Sequence, residues 1–339
     1  MLVMEIDLNN LTDNYNKIKS KTNKEIIAVV KNNAYGLGLI EISKKLVSLG
    51  VKMLAVNDII EAVKLRENFI YSDVLLLNSL TFDDYSYLYR YDNIVLSINS
   101  LEDAINLNKY YYGRPLRVHI QIDSGMNRLG IKSWGEYLDT LNIVKNNEKF
   151  HLEGIYTHFV SSKDSLINNQ ISYFKKHLNE YHYRYIHIMN SSSIDKCDFG
   201  NLVRVGIALY GVLPDHKQVV KIKTKPIWIK KIYPNETIGY EQKYQVTKES
   251  LIALLPIGYG NGIIRAFEGF SVLANNQKYP IIGHICMNHM FVLVDESINQ
   301  NTHFYITNDT LRIEELANYI NTCPHQIQCM FQIENKKYL

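Results

Sequence analysis

Eight short apolar runs, each trailed by a longer polar segment, fill the chain before Gly211. They are residues 26–30, 53–56, 74–77, 94–98, 116–122, 152–157, 185–189 and 202–205. Amphipathic stretches with helical spacing lie between them, for example 39–49, 59–66, 101–110, 137–145 and 171–181. Strands alternating with helices cannot form hairpins and must cross over, which makes the sheet parallel. Eight such units predict an α/β fold of the (β/α)8 TIM-type barrel class, although a doubly wound open sheet shows a similar alternation. The residues at the ends of the runs favour the barrel. Lys31, Asn57, Asn78, Asn99, Asp123, His158 and Asn190 come after the first seven runs, and the eighth carries Arg204 and Gly206. Barrel enzymes place their chemistry at this C-terminal rim. Asn and Asp are ordinary turn residues, but Lys31, His158 and Arg204 are not.

Beyond Gly211 the rhythm changes. Residues 220–232, 243–246, 252–257, 270–273, 281–286 and 291–294 read as strands without long helices between them, with Pro226 interrupting the first. Gly258, Gly260 and Gly262 and the pair Asn275–Asn276 mark turns, and one helix is expected over 313–321. The chain therefore divides into a barrel domain, residues 1–212, and a mostly β C-terminal domain, residues 213–339.

Composition removes several function classes. A formal charge of +3 with no dense Lys/Arg run argues against a nucleic-acid partner. No apolar run approaches the ~18 residues that a membrane span needs. Glu5 and Asp7 near the start do not suit a signal peptide. Cys197, Cys286, Cys323 and Cys329 have no CxxC spacing, so neither a zinc site nor a disulfide framework is expected, and the thiols fit a reduced, cytoplasmic compartment.

Lys31 carries the sharpest chemistry. It ends an apolar, β-branched run, where burying an unpaired ammonium is costly. A partly desolvated lysine amine has a lowered pKa and becomes a nucleophile. Taken alone, the residue supports only a covalent amine of unknown purpose.

The motifs around it are more specific. The stretch Val30-Lys31-Asn32-Asn33-Ala34-Tyr35-Gly36-Leu37-Gly38 is joined by Glu5-Ile6-Asp7-Leu8, Asp123-Ser124-Gly125-Met126-Asn127-Arg128-Leu129-Gly130 and Thr157-His158-Phe159. Further on come Asn190-Ser191-Ser192, Arg204-Val205-Gly206-Ile207-Ala208-Leu209-Tyr210-Gly211, Gly239-Tyr240, Gly258-Tyr259-Gly260-Asn261-Gly262 and Gly283-His284-Ile285-Cys286-Met287. In this order, and nearly end to end, they resemble the bacterial alanine racemases, enzymes that use pyridoxal 5'-phosphate.

The resemblance implies roles for each residue. Lys31 would be the Schiff-base lysine and one of two acid/base groups, because racemisation needs one on each face of Cα. Tyr240, reaching in from the partner subunit of a homodimer, would be the other. Arg204 would face the pyridine nitrogen; arginine does not give up its proton near neutral pH, so that nitrogen would stay unprotonated and Cα would be quickly reprotonated. His158 would lie against the ring and, with Arg204, help to lower the Tyr240 pKa. Tyr35, Ser191 and the backbone N–H groups of Gly206 and Ile207, at the start of a helix, would hold the phosphate. Arg128 would meet both the substrate carboxylate and the cofactor's phenolic oxygen. Met287 would lend a backbone N–H to the carboxylate, and Tyr259 would line the entrance. The implied activity is interconversion of L- and D-alanine, supplying D-alanine for peptidoglycan, with no metal. Serine or a broader set of amino acids is the alternative substrate.

The chain also departs from the family pattern. Gln121 stands where many relatives carry a carbamylated lysine that holds Arg128; an amide cannot be carbamylated, so a direct Gln121–Arg128 contact is expected instead. Asn261 and Asn288 replace common aspartates, and Asn32 and Leu37 replace a commoner Ala and His. His325 falls where a tyrosine is usual, which bears on substrate preference. The closing Arg-x-Pro-Arg motif is missing.

Overall fold

The computed structural model describes residues 1–339, and the chain separates into two compact units. One comprises residues 15–34 and 38–209, the other residues 1–14, 35–37 and 210–339. No helix is long and apolar enough to cross a membrane.

The first unit is a closed parallel barrel. Numbered along the chain after an N-terminal strand β1 (Val3–Ile6), its strands are β2 (Glu25–Val29), β3 (Met53–Val56), β4 (Asp73–Leu76), β5 (Ile94–Ile98), β6 (Leu116–Gln121), β7 (Phe150–Tyr156), β8 (Tyr185–Met189) and β9 (Leu202–Val205). Closure comes from β9 pairing in parallel with β2, with Leu202 opposite Glu25 and Val205 opposite Ala28. All eight expected runs are strands here, so the open-sheet alternative falls. Strands covered on both faces read as continuous apolar runs, and β3, β5 and β9 are buried throughout.

Local sequence starts the helices between them. Asp58, Ser100 and Ser133 each stand one residue before a helix and accept the N–H of Glu61, Asp103 and Glu136 at 3.1 Å, a cap contributing about 1 kcal/mol.

The second unit is mostly β. Its further strands are β10 (Val220–Thr224), β11 (Trp228–Ile232), β12 (Thr237–Ile238), β13 (Tyr244–Gln245), β14 (Ser250–Leu255), β15 (Ser271–Ala274), β16 (Gln277–Ile282), β17 (Met290–Val294), β18 (Phe304–Thr307) and β19 (Lys336–Tyr338). Nine form one sheet in the order β11-β14-β17-β16-β15-β18-β10-β1-β19, and β12 pairs with β13. Pro226 lies in the break between β10 and β11, as expected. Ile232, Ile238, Val246, Ile252 and Ile282 form a core cluster of this unit.

Besides β12, the structure adds four elements to the β unit that the sequence pattern did not reveal. β1 runs antiparallel to β10 and parallel to β19, so the chain's first strand belongs to the β unit. β18 and a second C-terminal helix, Pro324–Met330, complete the addition. β1, β18 and β19 are too short to show a period, and their places are fixed by partners distant in sequence.

Candidate active site at the barrel rim

Lys31 comes directly after β2, and the chain then makes an unusual turn. Asn32, Asn33, Ala34 and Tyr35 all have φ between 52° and 55°. Each L-residue held in the left-handed region costs about 1–2 kcal/mol, with Asn the most tolerant. Asn32, the departure from the usual Ala, therefore suits its position. Within the barrel unit four hydrogen bonds over-determine the turn. Ala34 N–H donates to the Val30 carbonyl at 2.8 Å and Gly38 N–H to the Asn33 carbonyl at 2.9 Å. Asn33 Oδ1 accepts the Leu39 N–H at 2.8 Å, and Asn33 N–H donates to Glu61 Oε1 at 2.8 Å. Backbone strain held this firmly is typical of functional sites.

Arg204, on β9, is 4% exposed and has no carboxylate partner. Its Nη1 donates to His187 Nδ1 at 2.7 Å and to the His187 carbonyl at 2.6 Å, and its Nη2 to the Thr157 carbonyl at 2.5 Å. The guanidinium also lies 4.9 Å from the centre of the Tyr156 ring. Burial pulls its pKa down to about 10, with Arg128 adding a smaller push, so it remains charged at neutral pH. A guanidinium has five N–H donors. The Nε–H and one Nη2–H of Arg204 donate to nothing in the chain, and so suit an acceptor supplied by a ligand.

His158 lies just beyond β7. Burial and then Arg204, Arg128 and Lys31 push its pKa down to about 3. The four residues therefore share one electrostatic neighbourhood, and His158 is neutral. Its ring makes no hydrogen bond within the chain; its backbone carbonyl accepts the Gln170 amide at 3.2 Å. Arg128 is exposed and unpaired, and it borders a small recess with Gln121, Asp123, Met126 and His158.

The expected Gln121–Arg128 bond is absent. Gln121 Oε1 accepts the Tyr156 hydroxyl at 2.7 Å, and its amide donates to the Leu129 carbonyl at 3.1 Å. Both ends of the amide are spent on nearer partners. Ser97 Oγ also lies 2.7 Å from the Tyr156 hydroxyl and spends its own proton on the Leu76 carbonyl at 2.5 Å, so the single Tyr156 proton is shared between Gln121 and Ser97.

After β8, Ser191 Oγ accepts the N–H of Gly206 at 3.0 Å and of Ala208 at 3.4 Å. Its own proton, and the N–H of Ile207, have no acceptor within the chain. This pair of free donors fits an anionic group. The helix expected to begin at Gly206 is not there: Leu209 N–H returns to the Gly206 carbonyl at 2.9 Å, which closes a single tight turn, so no helix dipole contributes.

The remaining sequence-derived candidates belong to the β unit. Tyr35 packs on Tyr210 with ring centres 5.0 Å apart, and burial pushes its hydroxyl up to about 12. Tyr240 begins a short 3-10 turn and is 63% exposed. Tyr259 N–H donates to the Cys286 carbonyl at 3.0 Å and Gly260 N–H to the Met287 carbonyl at 2.8 Å, so Tyr259 and Met287 lie on one exposed loop pair. His325 Nε2 lies 3.3 Å from Cys323 Sγ.

The sequence reading missed Glu61, Tyr156, His119 and His187. Signals for the two histidines existed: each is a titratable residue inside an apolar strand, and His119 shares a face of its strand with Gln121.

The chain resembles known proteins over nearly its whole length. Residues 6–214 match the family description "Alanine racemase, N-terminal domain", and residues 219–338 match "Alanine racemase, C-terminal domain". The alanine racemase of Listeria monocytogenes serotype 4b (strain F2365) is 30% identical over 350 residues, covering 96% of this chain and 94% of that protein. That of Methanococcus maripaludis is 32% identical over 355 residues, covering 96% and 95%. Among solved structures, alanine racemase from Bacillus anthracis with bound L-Ala-P superposes with a TM-score of 0.93 at 27% identity, covering 99% of this chain and 94% of that one. The Bartonella henselae enzyme with covalently bound pyridoxal phosphate gives 0.90 at 26% identity, covering 100% and 99%. By the match of both halves and by these full-length relatives, the chain belongs to the alanine racemase family.

Proposed function

We propose that this chain interconverts L- and D-alanine with pyridoxal 5'-phosphate, through two bases on opposite faces of Cα. When bound, the cofactor withdraws electrons from Cα and so acidifies its proton. Lys31 anchors the cofactor, and moves the proton on one face. Tyr240 of a partner subunit moves it on the other. Arg204 donates to the pyridine nitrogen without yielding a proton. The observation that best supports this reading is Arg204 itself, a buried cation held by neutral groups with two N–H donors left over. An acid at that place would protonate the nitrogen and favour other chemistry.

The Ser191 hydroxyl and the Ile207 N–H hold the phosphate, in a loop that the Gly206 N–H ties to Ser191, and Tyr35 assists. Arg128, free of any partner in the chain, takes the substrate carboxylate together with the Met287 N–H, and Tyr259 lines the entrance. Neutral His158 lies against the cofactor ring. In this reading the barrel half, residues 1–212, binds the cofactor, and the half from 213 to 339 contributes the second base to a homodimer. The protein acts in the cytoplasm and supplies D-alanine for peptidoglycan.

His325 favours a second reading, serine or a broader set of substrates, because a histidine beside Cys323 replaces the usual tyrosine. Comparing kcat/KM for alanine, serine and lysine separates the two: serine above alanine overturns the first. A Tyr240→Phe variant that racemises both enantiomers at full rate removes the two-base assignment. Borohydride reduction tests the anchor. A visible band near ~420 nm should vanish, and Lys31→Ala should lack it.

A further inference from the structure

Behind Arg204 two more imidazoles continue down the barrel. His187 on β8 and His119 on β6 are both fully buried. Arg204 Nη1 lies 2.7 Å from His187 Nδ1, and His187 Nε2 lies 2.8 Å from His119 Nδ1. Past His119 the same face of β6 carries Arg117, which pairs with Asp73 at 2.6 Å and with Glu153 at 2.9 Å.

We propose that His119 is a positioning residue for Arg204, acting through His187 to fix the protonation pattern that holds the guanidinium in place. The assignment rests on donor chemistry. A guanidinium only donates, so His187 Nδ1 must present a lone pair, and His187 carries its proton on Nε2. That N–H can only point into His119 Nδ1, which must also be unprotonated. His119 is then the Nε2–H tautomer. Neither ring can be an imidazolium, since each must accept at Nδ1. Burial between Arg117 and Arg204 favours the neutral form of His119 independently of this counting.

The chain of bonds takes its direction from Arg204, and its far end bears the cost. His119 Nε2 is buried with no hydrogen-bond partner. Leaving a buried donor unpaired is costly. Turning the His119 ring to satisfy it would withdraw the acceptor from His187. The surroundings are also shaped for the imidazole. Gly154 on β7 faces it so closely that a Cβ there would lie 2.7 Å from the ring. Tyr156 stacks on His187 with centres 4.5 Å apart and planes 10° from parallel.

Without His119, the His187 N–H loses its acceptor, and the proton is free to move to Nδ1. It would then oppose the Arg204 N–H, donor against donor, and the guanidinium would keep only its two carbonyl contacts. Its two spare donors, which serve the cofactor in the proposed racemisation, would lose their fixed direction. The inference rests on that reading only for its purpose, not for the tautomers.

Side-chain 15N NMR of the histidines in the purified protein tests it. Both His187 and His119 should show an unprotonated Nδ1 and a protonated Nε2. His119→Asn, whose Oδ1 can replace Nδ1 as acceptor, should leave the His187 tautomer unchanged. His119→Leu should shift His187 toward Nδ1–H. A proton on His119 Nδ1 in the parent protein overturns the proposal, as does a His187 tautomer indifferent to His119→Leu. If His119→Leu does not fold, the parent tautomers alone decide. Because the readout needs no substrate, a wrong tautomer and a failed racemase assay are separate outcomes.

Discussion

The Tyr156 hydroxyl donates to Gln121 Oε1 at 2.7 Å, and this bond takes the acceptor that Arg128 would have used. Arg128 is thereby left exposed and without a partner in the chain, while Gln121 becomes part of the barrel's interior network. Gln121→Met removes the acceptor at similar volume. Tyr156 can still donate to Ser97, but the Leu129 carbonyl loses its donor, so the loss should be about 1–3 kcal/mol. The midpoint of urea unfolding measures it, and an unshifted midpoint would show that the network contributes nothing.

Glu61 holds two backbone amides, those of Asn33 at 2.8 Å and Asn57 at 3.2 Å. Glu61→Ala orphans both and should destabilise the protein by about 2–4 kcal/mol. Glu61→Gln keeps an acceptor and should lose less. Denaturant titration of the two variants side by side checks the order, and equal losses would refute it.

Asn33 combines left-handed backbone with a side chain that accepts the Leu39 N–H. Gly38, which precedes the helix Leu39–Ser48, has no side chain to cap it. Asn33→Ala should therefore cost about 1–2 kcal/mol, from the lost cap and the poorer fit of Ala to positive φ. Thermal unfolding of the variant reads this out.

Three histidines, His119 and His187 buried and His158 half-buried, make the protein sensitive to acid. His119 and His158 are pushed down to about 3 and His187 lies well below its ordinary value, each mainly by burial and then by neighbouring cations. With a depressed native pKa, each group binds fewer protons folded than unfolded. Its contribution is fully present above the unfolded value, about 6.5, and is lost as pH falls toward the native one. If all three groups act together, stability should fall by up to about 4 kcal/mol per pH unit in that window. Denaturation midpoints between pH 7 and pH 5 test this. A flat profile there would contradict the neutral assignments.

The proposed homodimer, in which each site takes one base from each subunit, predicts complementation between dead subunits. Lys31→Ala and Tyr240→Phe homodimers should each be inactive. When the two are co-expressed, half of the dimers are mixed, and one of their two sites has both bases. Activity should return to about one quarter of the parent level. No recovery, with mixed dimers verified by mass, would place both bases in one chain.

Much of the protein is set by local sequence alone. The eight barrel strands arise from apolar runs at regular spacing, and the helices between them from their own periodicity and from caps such as Asp58, Ser100 and Ser133. Lys31, His158 and Arg204 stood out because a charged or titratable residue at the end of a buried strand has few other reasons to be there. Tertiary structure decided what no window of sequence contains. Strand β1 joins β10 and β19 because its hydrogen-bond partners lie over two hundred residues away. Gln121 turned to Tyr156 rather than Arg128 because the inward faces of β6 and β7 bring those two together. The His119–His187 pair exists only because β6 and β8 both flank β7, where Gly154 has no side chain to keep the two rings apart. Alternation fixes which side of a strand a residue faces; only the order and register of strands in the assembled sheet fix what it meets there.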